Sequence, residues 1–266
     1  MSESISIAVI GGSGLYSLFD PSHSEARTIA TPYGAAEVTI GELAGRRVAF
    51  LTRHGAGHTV APHLINYRAN IWALASLGVR VIVSSAAVGG VSPDYPPGTL
   101  VLPDQFIDRT SGRADTFYDR GSVQHLATAD PFDPALHDIA SDALGVEAVP
   151  VGTVVVVQGP RFSTRAESQW FRAAGAHIVN MTLYPEVPLA AELNIGTVNV
   201  SYVTDADAAP ADEQLSSELV FARFAEAQPR IVAAITSIVA AIPDDYAARE
   251  LIAAAEVATV LARATT

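Results

Sequence analysis

The chain has 266 residues, 49% of them hydrophobic and 17% charged, and 16 basic against 28 acidic side chains give a formal net charge of −12. Such a balance excludes a nucleic acid or an anionic membrane surface as the main partner, because both need a broad basic field, although a local anion pocket stays open. Every basic residue is Arg and there is no Cys, which removes lysine Schiff bases, the P-loop, thiol nucleophiles, thiolate metal sites and disulfides.

Residues 1–10 lack the basic start and long apolar run of a signal peptide, and no stretch of ~20 apolar residues follows. A soluble, cytoplasmic protein is expected. In chain order, residues 5–10 read as a buried strand that stops at Gly11-Gly12-Ser13-Gly14, and 48–51 and 79–83 have the same β-branched character. Between the last two, apolar residues at helical spacing predict a helix over 62–77, with Pro62 in its first turn. Further strands are expected at 151–157 and 198–203. A helix should start at Thr164 with Glu167 completing a capping box and run to about 174. A short helix over 185–193 follows, then two long amphipathic helices, 213–239 and 245–264, the first kinked or interrupted at Pro229. Strands alternating with helices predict an α/β fold: one domain over residues 1–266, with a mixed, largely parallel central sheet flanked by helices. The loop-like stretch 89–98 lies within that domain. The polar stretch 109–133 is longer than an ordinary connection, as functional or interfacial loops often are.

Five constellations carry possible chemistry. Gly11-Gly12-Ser13-Gly14 after a strand suits an anion cradled by backbone N–H groups and the Ser13 hydroxyl, or an ordinary glycine turn; Ser17 breaks the dinucleotide fingerprint. Arg53-His54-Gly55, with His58 and His63 behind it, offers a charged donor fork and an imidazole donor for phosphate. A metal site or an exposed loop is the alternative, and the metal reading lacks the H-E-x-x-H spacing. Residues 84–90 (Ser84 to Gly90) follow a predicted strand at the sheet edge where ligands bind, with packing beneath a helix as the competing reading. Asn180-Met181-Thr182 precedes a helix. Thr204-Asp205-Ala206-Asp207 follows a strand, where two carboxylates can bind a metal, read a polar ring or cap a helix.

Taken in order, these motifs resemble the trimeric purine nucleoside phosphorylase family, and its 5′-methylthioadenosine phosphorylase branch most. The likeness covers nearly the whole chain to about residue 240. It rests on Ile10-Gly11-Gly12-Ser13-Gly14, Thr31-Pro32-Tyr33-Gly34, Arg53-His54-Gly55, the nine residues from Asn66 to Leu74, the seven from Asp104 to Thr110, the ten from Gly159 to Ser168, Asn180-Met181-Thr182 and Thr204-Asp205-Ala206-Asp207.

The resemblance implies that Ser13, Arg53, His54, the Ala86-Ala87 backbone and Thr182 surround inorganic phosphate, that Met181 lies along the ribose, and that Asp205 and Asp207 stand at the base. Ser163 and His58 would lie near the purine or the 5′ substituent, and His125 would reach a neighbouring subunit's site in a homotrimer. Where this branch often has Thr, this chain has Ala86, so the backbone amide of Ala87 would have to serve. The implied reaction is phosphorolysis of 5′-methylthioadenosine, or a related 5′-substituted adenosine, to adenine and a ribose 1-phosphate in purine and methionine salvage. Phosphate is then a co-substrate, with no metal or organic cofactor. Cleaving the N-glycosidic bond requires an anion beside the ribosyl cation and a proton donor at the base, here a carboxylic acid at Asp205 for purine N7. Asp207 would accept from the exocyclic amine. Rival readings are a 6-oxopurine nucleoside or methylthioinosine phosphorylase, which would commonly place Asn at position 205, a non-catalytic purine nucleoside-binding protein, and a nicotinamide dehydrogenase.

Overall fold

The computed structural model describes residues 5–55, 57–206 and 216–265. Strand β1 (Ile7–Gly11) is buried along its whole length, as a continuous apolar run covered on both faces should be. It is followed by β2 (Glu25–Thr31), β3 (Gly34–Leu43) and β4 (Arg46–Thr52), which form an antiparallel meander, and β4 lies parallel to β1. Helix α1 (Tyr67–Ser76) leads to the long strand β5 (Val81–Gly90). Then come β6 (Leu100–Val101), β7 (Gln105–Arg109), α2 (Pro134–Leu144), β8 (Thr153–Val157), α3 (Arg165–Ala173), β9 (Ile178–Asn180), α4 (Leu183–Glu192), β10 (Gly196–Ala206), α5 (Ser217–Ala241) and α6 (Ala254–Leu261).

The sheet has the order β2-β3-β4-β1-β5-β9-β8-β7, with β10 along β5 and β6 beyond it. Strands β4, β1, β5 and β10 are mutually parallel where they pair, whereas β9 meets β5 antiparallel and β8 and β7 run with β9. The mixed, largely parallel sheet flanked by helices is as expected from the sequence. Alternation along β1 sorts the core: Ile7 and Val9 join the side chains of α2 and α5 on one face, Ala8 and Ile10 those of α1, α4 and α6 on the other.

Several boundaries differ from the sequence expectation. The α-helix starts at Tyr67, not Pro62, because Asn66 caps it by accepting from the Ala69 amide at 3.1 Å, and residues 62–64 form a separate 3-10 turn. Residues 84–90, expected beyond a strand end, belong to β5, and Thr204 and Asp205 likewise lie inside β10. Helix α5 is not interrupted at Pro229: the apolar stripe Phe224, Ala227, Ile231 and Ile235 is buried on both sides of it, and this packing outlasts one lost backbone bond.

The last helix is confined to 254–261. Asn194 explains this, since its Oδ1 accepts from the amides of Leu251 and Ile252 at 2.9 and 3.0 Å and its Nδ2 donates to the Ile252 carbonyl, taking the backbone groups a helix there would use. The meander strands β2 and β3, the short β6, β7 and β9, and helix α2 lie outside the elements expected from the sequence. The capping box at Thr164 and Glu167 is formed.

Candidate active site

One edge of β5 decides where a ligand can sit. Pairing with β1 ends at Ser84, and pairing with β9 begins at Gly89. Over residues 85–88 that edge carries no strand among the described residues, and a cavity of about 470 Å³ opens beside it. The carboxyl ends of β1, β4 and β10 reach it from one direction and those of β8 and β9 from the other, so loops from both halves of the sheet converge there. The first turns of α5 close one side with Ser217, Val220 and Phe221.

The turn after β1 supplies Gly12 and Ser13, and the segment after β4 supplies Arg53 and His54. A Cβ on Gly12 would fall 2.5 Å from the Ser85 carbonyl oxygen and 3.1 Å from Arg53 Nη1, so only glycine lets this loop lie against the guanidinium. Arg53 is 2% exposed. It donates from Nε and Nη2 to the two Glu186 carboxylate oxygens at 2.6 and 2.7 Å and from Nη1 to the Ser85 carbonyl at 2.9 Å. Burial alone would lower the guanidinium pKa, but the charge and hydrogen bonds of Glu186 outweigh it and hold the pKa above its usual value.

His54 is buried beside that cation. Desolvation, aided by Arg53 and opposed by its hydrogen bond to Val60, takes its pKa down from 6.5 to about 4, so the ring is neutral near pH 7. Its Nδ1 lies 2.9 Å from the Val60 carbonyl oxygen. A carbonyl only accepts, hence Nδ1 carries the proton and Nε2 presents a lone pair. The imidazole expected from the sequence to add a donor therefore accepts in its neutral form and donates only once protonated.

At the other end stand Thr204 and Asp205 of β10, with Asn180, Met181 and Thr182 at the end of β9. Asn180 Oδ1 accepts from the amides of Thr182 and Leu183 at 2.5 and 2.8 Å, which shapes the turn into α4. His58 adopts φ +58°, a strained backbone for a non-glycine residue, and its ring lies between His54 at 4.3 Å and Phe221 at 4.8 Å. His58 Nδ1 and Ser163 Oγ are buried and have no hydrogen-bond partner among the described residues. Orphaned polar atoms on a cavity wall are what a ligand would satisfy.

Of the residues singled out from the sequence, Ser13, Arg53, His54, His58, Ala86, Ala87, Ser163, Met181, Thr182 and Asp205 line this one cavity. His125 is exposed and is not among the lining residues, and Asp207 lies outside the described residues. Sequence reasoning missed Glu186, Phe162 and Phe221. A carboxylate inside the apolar run of α4 was a signal for Glu186, because a buried acid needs a cation. Nothing local marked the two phenylalanines.

The model of the phosphorylase superfamily matches residues 6–241. The S-methyl-5′-thioadenosine phosphorylase of Mycobacterium tuberculosis is 51% identical over 225 residues, 83% of each chain. The purine nucleoside phosphorylase of Streptomyces coelicolor is 48% identical over 251 residues, 89% of each chain. The crystallised methylthioadenosine phosphorylase of Schistosoma mansoni in complex with adenine superposes with a TM-score of 0.84 at 33% identity, covering 89% of this chain and 91% of that one. A family match over most of the length, close relatives over more than four-fifths of it and a shared fold agree, and the chain belongs to the phosphorylase superfamily.

Proposed function

We propose that the protein cleaves 5′-methylthioadenosine, or a closely related 5′-substituted adenosine, with inorganic phosphate, releasing adenine and the corresponding ribose 1-phosphate. The observation that carries this reading is the convergence of Arg53, His54, Ser13 and Thr182 with the Asp205 carboxyl on one cavity. Phosphate would take the end with the guanidinium, the hydroxyls and the Ala87 amide, and the purine the end with Asp205. A phosphate oxygen attacks C1′ as the C1′–N9 bond breaks, and the bonding pair leaves with the purine. Asp205 offers a proton or hydrogen bond to N7, and Asp207 accepts from the 6-amino group. Phosphate stabilises the ribosyl cation, so the chemistry asks for no cofactor beyond this co-substrate. The orphaned Ser163 Oγ and His58 Nδ1 favour roles at the sugar or base, with Met181 along the ribose.

The relative named as a purine nucleoside phosphorylase keeps a 6-oxopurine nucleoside as the second reading. An acid at position 205, where a 6-oxopurine phosphorylase would commonly place Asn, favours the 6-aminopurine. The test is base release from 5′-methylthioadenosine, other 5′-substituted adenosines and inosine, each with and without phosphate. Adenine released only with phosphate supports the proposal, whereas equal release without it makes the enzyme a hydrolase and overturns it. Purine binding without turnover would leave a binding protein.

The finer reading is a single-domain, cytoplasmic homotrimer with the 109–133 stretch at the interface and His125 reaching a neighbouring site. Two features support it: the exposure of His125 away from its own cavity, and one continuous sheet joining strands from residue 7 to residue 206. No described helix is long and apolar enough to cross a membrane. Sedimentation of a fully active monomer would remove the trimer and the role of His125.

A further inference from the structure

Glu186 is not in the cavity wall, yet it takes up Arg53, the one arginine among the described residues that line the cavity. Its carboxylate sits at the point where α4 becomes helical, just after the non-helical Tyr184 and Pro185, and its side chain is 4% exposed against 1% for Arg53. Both oxygens are used on Arg53, in the side-on fork that fixes a guanidinium plane and not merely its position. With Nη1 tied to the Ser85 carbonyl, three of the five guanidinium N–H groups are committed and two are not, among the described residues. The same group is pressed against Gly12, so its plane also sets the floor of the glycine turn.

Resting on the proposed phosphorolysis, we infer that Glu186 is a positioning residue for phosphate. It aims the two remaining N–H groups of Arg53 at the anion and, as counter-ion, keeps the vacant site free of an unpaired buried charge. A bidentate pair with both members buried is costly to break from one side, because the survivor is left charged without a partner. The pair is neutral overall, so phosphate is held by oriented N–H and O–H groups more than by net charge. Phosphate must also share the cation with Glu186, which weakens its hold and eases release of the phosphorylated product. This second carboxylate has no part in the base chemistry assigned to Asp205; its effect is confined to the phosphate end.

The test is Glu186→Gln, which keeps shape and removes charge. In that variant inorganic phosphate becomes the missing counter-ion. Its KM should fall at least threefold while kcat falls at least tenfold, because the guanidinium is no longer held in one plane. The thermal stabilisation by a fixed phosphate concentration should exceed that of wild type. A purely structural role would lower stability without enlarging the phosphate response. Unchanged phosphate KM, kcat and thermal response, or a smaller response than wild type, overturns the inference.

If Glu186→Gln folds only when phosphate is present, the counter-ion role is supported directly. If it does not fold at all, Glu186→Asp decides, since it keeps the charge and shortens the reach. A several-fold drop in kcat with phosphate KM within about twofold supports positioning, and unchanged kcat overturns it. The thermal measurement needs no nucleoside, so it still reads Glu186 if wild type shows no phosphate-dependent base release and the proposed reaction fails.

Discussion

Thr204 and Asp205 are consecutive residues of one strand, yet both face the same cavity, with Thr204 Oγ1 2.6 Å from Asp205 Oδ1. Neighbours in a regular strand point to opposite faces. Here the register of β10 against β5 slips between Val203 and Asp205, a bulge that turns both side chains the same way. The hydroxyl also lies 3.2 Å from the Val88 carbonyl, which ties the base end to the edge of β5 that pairs with β10.

Base selectivity should follow Asp205. Asp205→Asn replaces a group able to donate its proton to N7 with an amide that can also serve a 6-oxo group. Activity on 5′-methylthioadenosine should fall and activity on inosine-type substrates rise relative to it. The ratio of kcat/KM values should move roughly ten- to a hundredfold, the worth of a buried polar contact at ~1–3 kcal/mol. An intact adenine preference in the variant would remove Asp205 from base reading.

Arg53→Ala should act on two measurements at once. The loss of a charge-assisted contact, about 1.5–3 kcal/mol, should raise the KM for phosphate about ten- to a hundredfold while nucleoside binding changes little. Glu186 is left buried with no cation, so urea unfolding should report a loss of about 3–5 kcal/mol. Unaltered phosphate kinetics would make Arg53 a structural residue only.

Acid should destabilise the fold through His54. An unfolded chain binds a proton at this ring below about 6.5, whereas the folded chain, with the pKa drawn down to about 4, does not until that value. The unfolded state binds more protons in this window, so stability falls as pH drops from 6.5 towards 4, by roughly 3 kcal/mol in all. His54→Gln should show a shallower decline in urea unfolding between pH 6.5 and 4. Identical slopes in the two proteins would mean that the ring titrates normally.

Ser163→Ala separates ligand binding from folding. Its Oγ is buried without a partner among the described residues, so its removal breaks no hydrogen bond seen there and stability should stay within ~0.5 kcal/mol. If a nucleoside satisfies that oxygen, the KM for nucleoside should rise about two- to tenfold with the phosphate KM unchanged. Equal kinetics would show that the hydroxyl faces no substrate group.

The strands that carry the site announced themselves because each is a dense apolar run whose burial on both faces follows from composition alone, as in β1 and the start of β5. The glycine turn and the Thr164 cap were equally readable, being local chemistry. What failed locally was decided at long range. Asn194 claims the amides of Leu251 and Ile252 from 57 and 58 residues away and stops a helix the pattern predicts. Packing carries α5 through Pro229, and alternating polar residues hid the edge meander of β2 and β3.

By itself the sequence determined the α/β class, the absence of lysine and thiol chemistry, and the residue types that an anion and a purine require, because these follow from composition, periodicity and motif. Only the tertiary structure decided that the pairing of β5 with β1 stops at Ser84 and its pairing with β9 starts at Gly89, leaving the cavity between them. Nor could the chain alone show that Arg53 shares its charge with Glu186, 133 residues away. Strand ends, register slips and the partners of buried charges depend on contacts between distant segments, and free energy settles them only when the whole sheet has closed.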